Sequence, residues 1–172
     1  MIILALDQSI TRSGFAVLET GRRPGTGQVM HSGWFGSAGG DDRVKVDAFI
    51  QHVRELILDY APGLMVWEKP AKYLARVGAK GGVNAHQLVL TRLDENLFGL
   101  ARDYGRAFAT VAPNTWRAKV LGKGAGRMPR DEAKRRALAH CAWIGQPVKN
   151  ADQAEAICIG LWALAYVRED AA

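Results

Sequence analysis

Ile2-Ile3-Leu4-Ala5-Leu6-Asp7-Gln8-Ser9-Ile10-Thr11-Arg12-Ser13-Gly14-Phe15-Ala16-Val17-Leu18 is the stretch on which the fold turns. An apolar run over 2–6 meets a carboxylate, a polar segment covers 8–12, and a second apolar run covers 13–18. A short apolar run bounded by turn residues suits a buried strand. The short polar segment lets the chain fold back, so the second run predicts a strand antiparallel to the first. No basic leader and no cleavage-like segment accompany residues 2–6, which read as a strand and not as a signal peptide. Asp7 closes that strand, and in open α/β sheets ligand sites gather at the carboxyl ends of strands. An aspartate there also suits a plain turn cap.

Outward from this pair, residues 19–27 contain Gly21, Pro24, Gly25 and Gly27 and form a hairpin connection to a third strand over 29–35. Gly39-Gly40 breaks the chain, and Asp41 or Asp42 caps a helix running to about Tyr60. Its apolar face carries Val46, Phe49, Ile50, Val53, Ile57 and Leu58. Pro62-Gly63 ends it, and a fourth strand over 64–67 runs into Glu68. Residues 69–82 are basic, irregular and interrupted by Pro and Gly, which predicts a mobile loop. An amphipathic helix over 84–104 places Leu90, Leu93, Leu97 and Leu100 on one stripe. A fifth strand over 108–111 stops at Pro113, followed by a short helix over 115–121 and a basic, Gly-rich loop over 122–129. Helices over 130–143 and 150–167 flank a loop over 145–149. This order predicts one domain over 1–172 of the α/β class. Its expected core is a mixed five-stranded sheet with helices on both faces.

A chain of 172 residues with 48% hydrophobic and 23% charged residues has the composition of a globular protein with a sizeable core. No apolar run approaches the roughly 20 residues of a membrane span, so no membrane partner is expected. The net charge is +6, and its distribution is uneven. Residues 116–136 carry eight basic residues against Asp131 and Glu132, which accounts for the whole excess. Residues 69–80 add Lys69, Lys72, Arg76 and Lys80 with no acid, so the rest of the chain is net acidic. Focused positive charge is the footprint of a polyanion binder, here nucleic acid. A solvated helix and loop would carry the same residues.

Four acids stand where surface chemistry alone would not put them: Asp7 and Glu68 at strand ends, and Asp152 and Glu155 in the start of the last helix. Residues three apart share a helix face, so the last two can point at one spot. Like charges that converge need a partner, and hard divalent cations supply one through oxygen ligation. Two such ions about 3.5–4 Å apart can flank a phosphodiester. Each acid also has a plainer reading. Glu68 before Lys69-Pro70 suits an exposed strand end. Asp152 suits the helix dipole, with Asn150 as the cap and Gln153 three residues on.

Asp7-Gln8-Ser9-Ile10-Thr11-Arg12-Ser13-Gly14 resembles the first motif of RuvC-type Holliday-junction resolvases, nucleases of the RNase H-like fold. Val66-Trp67-Glu68 resembles their second acidic motif. Ala112-Pro113-Asn114-Thr115-Trp116-Arg117-Ala118-Lys119 with Gly122-Lys123-Gly124 resembles their proline, lysine and glycine segment. Ala151-Asp152-Gln153-Ala154-Glu155-Ala156 is similar to their final helix. The four occur in family order. The resemblance implies a structure-specific endodeoxyribonuclease, with Asp7, Glu68, Asp152 and Glu155 as catalytic metal ligands for Mg²⁺ or Mn²⁺, two ions per site. It implies a homodimer acting on branched DNA, most of all four-way junctions, in the cytoplasm of a bacterial cell or phage-infected host. Lys69, Lys72, Tyr73, Arg76, Lys80, Arg117, Lys119, Lys123, Arg127 and Arg130 are the expected DNA contacts. Glu155 departs from the aspartate common in the cellular enzymes, and residues 69–82 have Tyr73 but no Phe as a junction wedge. Both features resemble divergent phage-type members.

The remaining chemistry-bearing residues have structural readings. Cys141 and Cys158 suit buried free thiols. His31, His52, His86 and His140 lack metal spacing. Trp143 and Trp162 suit the core, whereas Trp116 suits either the core or stacking on a base. Two other functions fit parts of the pattern. Asp7-Gln8-Ser9-Ile10-Thr11 also resembles the phosphate-binding hairpin of actin-like ATPases and sugar kinases, which need two such domains to enclose ATP. A non-catalytic nucleic-acid-binding module would keep the basic stretches without needing four acids. Cutting of RNA in a hybrid also stays open.

Overall fold

Strand alternation and register build the sheet in this computed structural model, which describes residues 1–23, 25–36, 40–70, 76–77, 82–83 and 85–169. For residues 76–77, 82–83, 85–86 and 167–169 it describes the backbone alone. β1 (Ile2–Asp7) pairs antiparallel with β2 (Ser13–Thr20), from Ile2 opposite Glu19 to Asp7 opposite Gly14. β2 pairs antiparallel with β3 (Gly27–Phe35). After helix α1 (Asp42–Tyr60), β4 (Leu64–Glu68) pairs in parallel with the other side of β1, ending with Leu6 opposite Trp67. A separate ribbon follows, β5 (Arg76–Val77) antiparallel to β6 (Gly82–Val83), and then helix α2 (Ala85–Asp103). β7 (Ala107–Val111) pairs in parallel with β4, giving the sheet order β3-β2-β1-β4-β7. Helices α3 (Pro113–Val120), α4 (Arg130–Trp143) and α5 (Ala151–Glu169) complete the chain. The expected mixed five-stranded sheet is thus present.

Each sheet face carries its own core. Leu4 and Leu6 of β1 and Met65 and Trp67 of β4 point towards α1 and α2, where Val46, Phe49, Val53 and Ile57 meet Leu93, Leu97 and Leu100. Burial of each such side chain contributes roughly 1.5–3 kcal/mol. Ile3, Ala5, Leu64 and Val66 point the other way, towards α5, with α3 and α4 packed over it. α5 is apolar all round because it lies between the sheet and two further helices. No helix among the described residues is long and apolar enough to cross a membrane.

Several expectations change here. The stretch 69–82 is expected to be irregular, yet its described part holds β5 and the first residue of β6, which pair with each other. Leu58 is exposed and not on the buried face of α1. Trp143 is 81% exposed at the end of α4, outside the core expected for it. Apolar neighbours in sequence did not translate into burial, because α4 buries its row of Ala133, Ala137 and Cys141, with Leu138 partly buried beside it, and leaves Trp143 off that face. Trp116 is fully buried, which settles its two readings in favour of packing. The leucine stripe of α2 lies on the chain's own sheet, with Leu90 partly buried at its edge.

Candidate metal centre

Period-two alternation aims the strand acids. Ile3 and Ala5 face α5, so Asp7 of the same strand faces α5 as well. Leu64 and Val66 do likewise on β4, which directs Glu68 to the same side. The two acids follow directly on the Leu6–Trp67 pair, at the carboxyl ends of adjacent parallel strands. The backbone N–H of Lys69 donates to the Val111 carbonyl at 2.8 Å and carries the ladder past Glu68.

α5 brings the other two acids down onto this end of the sheet. Asn150 Oδ1 accepts from the Gln153 N–H at 2.9 Å, and Gln153 Oε1 accepts from the Lys149 N–H at 2.9 Å. The helix start is therefore capped reciprocally. Gln153 Nε2 also donates to Ser32 Oγ at 3.0 Å, tying the cap to β3. Gly14, opposite Asp7, makes the approach possible. A Cβ at that position would stand 1.9 Å from the Asp152 carbonyl oxygen. The absence of a side chain at 14 is what lets the first turn of α5 rest on β2.

Asp7, Asp152 and Glu155 each offer a carboxylate oxygen, all within 4.8 Å of one another. Glu68 lines a cleft together with Asp7 and Glu155, a space of roughly 260 Å³ bounded also by Gln8, Ser9, Leu90, Arg117 and Arg130. Trp116 Nε1 donates to Glu68 Oε2 at 2.9 Å from the core, and Gln8 Nε2 donates to the Glu68 carbonyl. Asp152 receives Lys134 Nζ at 2.7 Å on Oδ1 and Arg12 Nε on Oδ2. Glu155 receives Arg117 Nη2 at 3.4 Å, and Lys134 Nζ lies 4.0 Å from its other oxygen.

These surroundings move the carboxyls apart. Burial pushes Asp7 well above the usual carboxylate range, and the charges of Glu155, Glu68 and Asp152 add to that. Burial pushes Glu155 up to about 7 against the opposing pull of Arg117 and Lys134. Burial also raises Glu68, moderated by the bond from Trp116 and the charge of Arg117. Burial acts on Asp152 in the same sense, but the hydrogen bonds and charges of Lys134 and Arg12 outweigh it and hold the group below its ordinary value. Such divergence among neighbouring carboxyls is common at functional sites.

The structure brings the predicted acids together but distributes the predicted DNA contacts unevenly. Lys69, Lys123, Arg127 and Arg130 are exposed, and Arg130 lines the cleft. Lys119 is exposed on α3. Arg117 is turned inward, with its guanidinium over the Trp116 ring and on Glu155. It belongs to the carboxylate cluster more than to an outer face. Lys72, Tyr73 and Lys80 lie outside the described residues, as does the Arg76 side chain. Arg12, Lys134, Gln8 and Trp116 complete the cluster; the first three carry no site reading in the sequence, and Trp116 is read there only for packing or base stacking. Gln8 and Arg12 fall inside the first motif, but Lys134 gives no signal beyond its place in a basic stretch.

The donor set fits a hard divalent cation. Three carboxylates meet within ion-binding reach, and the buried Gln8 Oε1 has no hydrogen-bond partner. An orphaned acceptor beside clustered carboxylates suits a site whose remaining partner is an ion or its water.

No protein-family model and no curated protein sequence matches the chain. Solved structures do match in fold. Thermus thermophilus RuvC in complex with a Holliday junction substrate aligns with a TM-score of 0.73 at 15% identity, over 98% of this chain and 96% of that one. The fowlpox virus resolvase with its substrate Holliday junction DNA aligns at 0.62 and 13% identity, over 97% and 99%. The yeast mitochondrial Holliday junction resolvase aligns at 0.61 and 11% identity, over 98% and 80%. This chain has the RNase H-like fold of the RuvC-type resolvases.

Proposed function

We propose that this chain is a divalent-metal-dependent endodeoxyribonuclease acting on branched DNA, with the four-way junction as its principal substrate class. The observation that carries the reading is the convergence of Asp7, Asp152 and Glu155 within 4.8 Å, with Glu68 lining a cleft beside Asp7 and Glu155. The fold is shared with proteins whose structures hold Holliday junction DNA, which supports the choice of substrate. Asp7, Asp152 and Glu155 would hold Mg²⁺ or Mn²⁺, and Glu68 with Asp7 would share a second ion. Such ions supply a Lewis acid at the phosphoryl oxygen and an activated water at neutral pH.

The chain's own residues orient the rest. Trp116 fixes Glu68, and Lys134 and Arg12 fix Asp152. Arg117 and Arg130 line the cleft, where they neutralise charge that develops on the phosphoryl group. Lys69, Lys123 and Arg127 contribute phosphate contacts around it, a sequence-independent term. On this reading two copies assemble so that paired sites cut two strands, and the protein works in the cytoplasm of a bacterial cell or phage-infected host.

Matched four-way, three-way, flap and linear substrates with Mg²⁺ or Mn²⁺ test the proposal. Asp7→Asn keeps the shape of the site but removes a charged ligand. Cleavage of the junction should fall by about 100-fold or more, while a gel-shift assay shows binding retained. Near-normal cleavage by Asp7→Asn would reject this site, and a linear duplex cut as fast as the junction would reject the substrate.

A further inference from the structure

Both oxygens of Asp152 are occupied by the chain itself, Oδ1 by Lys134 Nζ at 2.7 Å and Oδ2 by Arg12 Nε. Lys134 also lies 4.0 Å from Glu155 Oε2, so one ammonium stands between two of the three side chains that offer oxygens within 4.8 Å of each other. Carboxylates this buried are costly without compensation, and these cations provide it. They occupy the same oxygens that a divalent ion requires.

The two cations differ in how they can leave. Lys134 stands on α4, with 24% of its side chain exposed, and its ammonium ends a flexible stem. It can withdraw by rotation about its own bonds while α4 stays in place. Arg12 comes from the turn between β1 and β2 and is half exposed. Arg130, on the same helix one turn earlier, lines the cleft, so a withdrawn Lys134 would stay beside a cation that already faces it.

We infer that Lys134, seconded by Arg12, is a built-in counterion that stands in for the divalent ion at Asp152 and Glu155 and is displaced when the ion binds. Phosphates of bound DNA receive the displaced ammonium, a charge-assisted bond that a carboxylate no longer needs to supply. DNA therefore raises metal affinity, and by linkage the metal raises DNA affinity to the same degree. The first half concerns metal alone; the DNA half rests on the nuclease reading.

Mn²⁺ titrated calorimetrically into the DNA-free wild type, Lys134→Met and Arg12→Gln tests the first half, with circular dichroism confirming the fold of each. Lys134→Met should bind Mn²⁺ more tightly, by an amount within the roughly 5- to 150-fold range of coupled sites, and Arg12→Gln by less. Without metal, Lys134→Met should melt lower than the wild type, and Mn²⁺ should raise its Tm by more. If Lys134→Met does not fold, Lys134→Gln keeps a donor to Asp152 without the charge and should show the same gain. Unchanged or weaker Mn²⁺ binding by the folded variant overturns the inference. In the second half, linear duplex DNA, corrected for its own Mn²⁺ uptake, should tighten Mn²⁺ binding by the wild type and do so less for Lys134→Met. Equal gains overturn the hand-over. A chain that shows the counterion effect but cuts no branched DNA keeps the metal half of this inference and loses the nuclease reading; a junction-cutting chain with no counterion effect does the reverse.

Discussion

At the scale of single residues, the carboxyls of the cleft link stability to pH in opposite senses. Glu155, raised to about 7 by burial, and Asp7, raised well above its ordinary value, bind protons more readily in the folded state. Each contributes fully below the ordinary carboxyl range; the share of Glu155 is lost as pH rises through about 7, and that of Asp7 as pH rises through its own raised value. Asp152, held low, contributes above its ordinary value, and its share is lost only in stronger acid. Between about pH 5 and 8 Glu155 therefore sets the trend, and the raised Asp7 and Glu68 act in the same sense. Without metal, the Tm should fall across that window. With Mg²⁺ or Mn²⁺ the fall should be offset, because the ion takes the deprotonated ligands. The metal-induced rise in Tm should grow with pH and be blunted in Glu155→Gln. A metal increment that stays flat from about pH 5 to 8 would contradict this assignment of the raised groups. The four acids themselves were legible from sequence, because strand ends and an i,i+3 pair are local patterns. Their counterions were not, since Arg12 and Asp152 are separated by 140 positions and only the closed fold places them together.

At the scale of elements, the site depends on how closely α5 sits on the sheet, and Gly14 sets that distance. A methyl group there meets backbone, the Asp152 carbonyl oxygen at 1.9 Å and its carbon at 2.4 Å. Backbone cannot rotate away as a side chain can, so the first turn of α5 must lift from β2. Gly14→Ala should lower stability by about 1–3 kcal/mol and also abolish most of the metal-induced rise in Tm. Gly160→Ala provides the contrast. Its methyl would meet the Leu18 side chain at 2.2 Å, in the middle of the same helix. It should destabilise by repacking but preserve the metal response. Equal loss of the metal response in both variants would mean that Gly14 has no special hold on the site. Element identity was largely readable, because the buried strands and long periodic helices announce themselves by their apolar spacing. The ribbon of β5 and β6 was not, since each strand is two residues long and shows no period. Nor was the exposure of Leu58 and Trp143, because apolar character does not reveal whether another element covers it.

At the scale of the whole molecule, periodicity showed that α2 has an apolar face but not what that face meets. The stripe Leu93, Leu97 and Leu100 packs into the chain's own core, so a second copy would have to use other residues. The outward side leaves Leu88 at 43%, Phe98 at 46% and Phe108 on the adjoining edge strand at 45% exposure. Phe98 meets Phe108 edge-on with centroids 5.1 Å apart, and Phe108 stacks on the buried Trp67 at 5.7 Å. Phe98 and Phe108 are thus tied to the core through Trp67, and aromatic residues of this kind are common at interface centres. A two-fold assembly would present this patch from both chains and bury it against itself. A stable interface of about 800 Å² per partner exceeds these three side chains, so in such an assembly they would form part of it and not its whole extent. Phe98→Glu places a charge in that patch without touching the cleft. At micromolar concentration the wild type should sediment as a dimer and the variant as a monomer. The variant's metal-induced rise in Tm should be unchanged, because Asp7, Asp152 and Glu155 come from one chain. On a four-way junction it should nick one strand at a time where the wild type makes paired cuts. A wild type that sediments as a monomer and binds a junction as one would remove the basis for paired cutting. A Phe98→Glu protein that remains a dimer would move the interface elsewhere on the molecule.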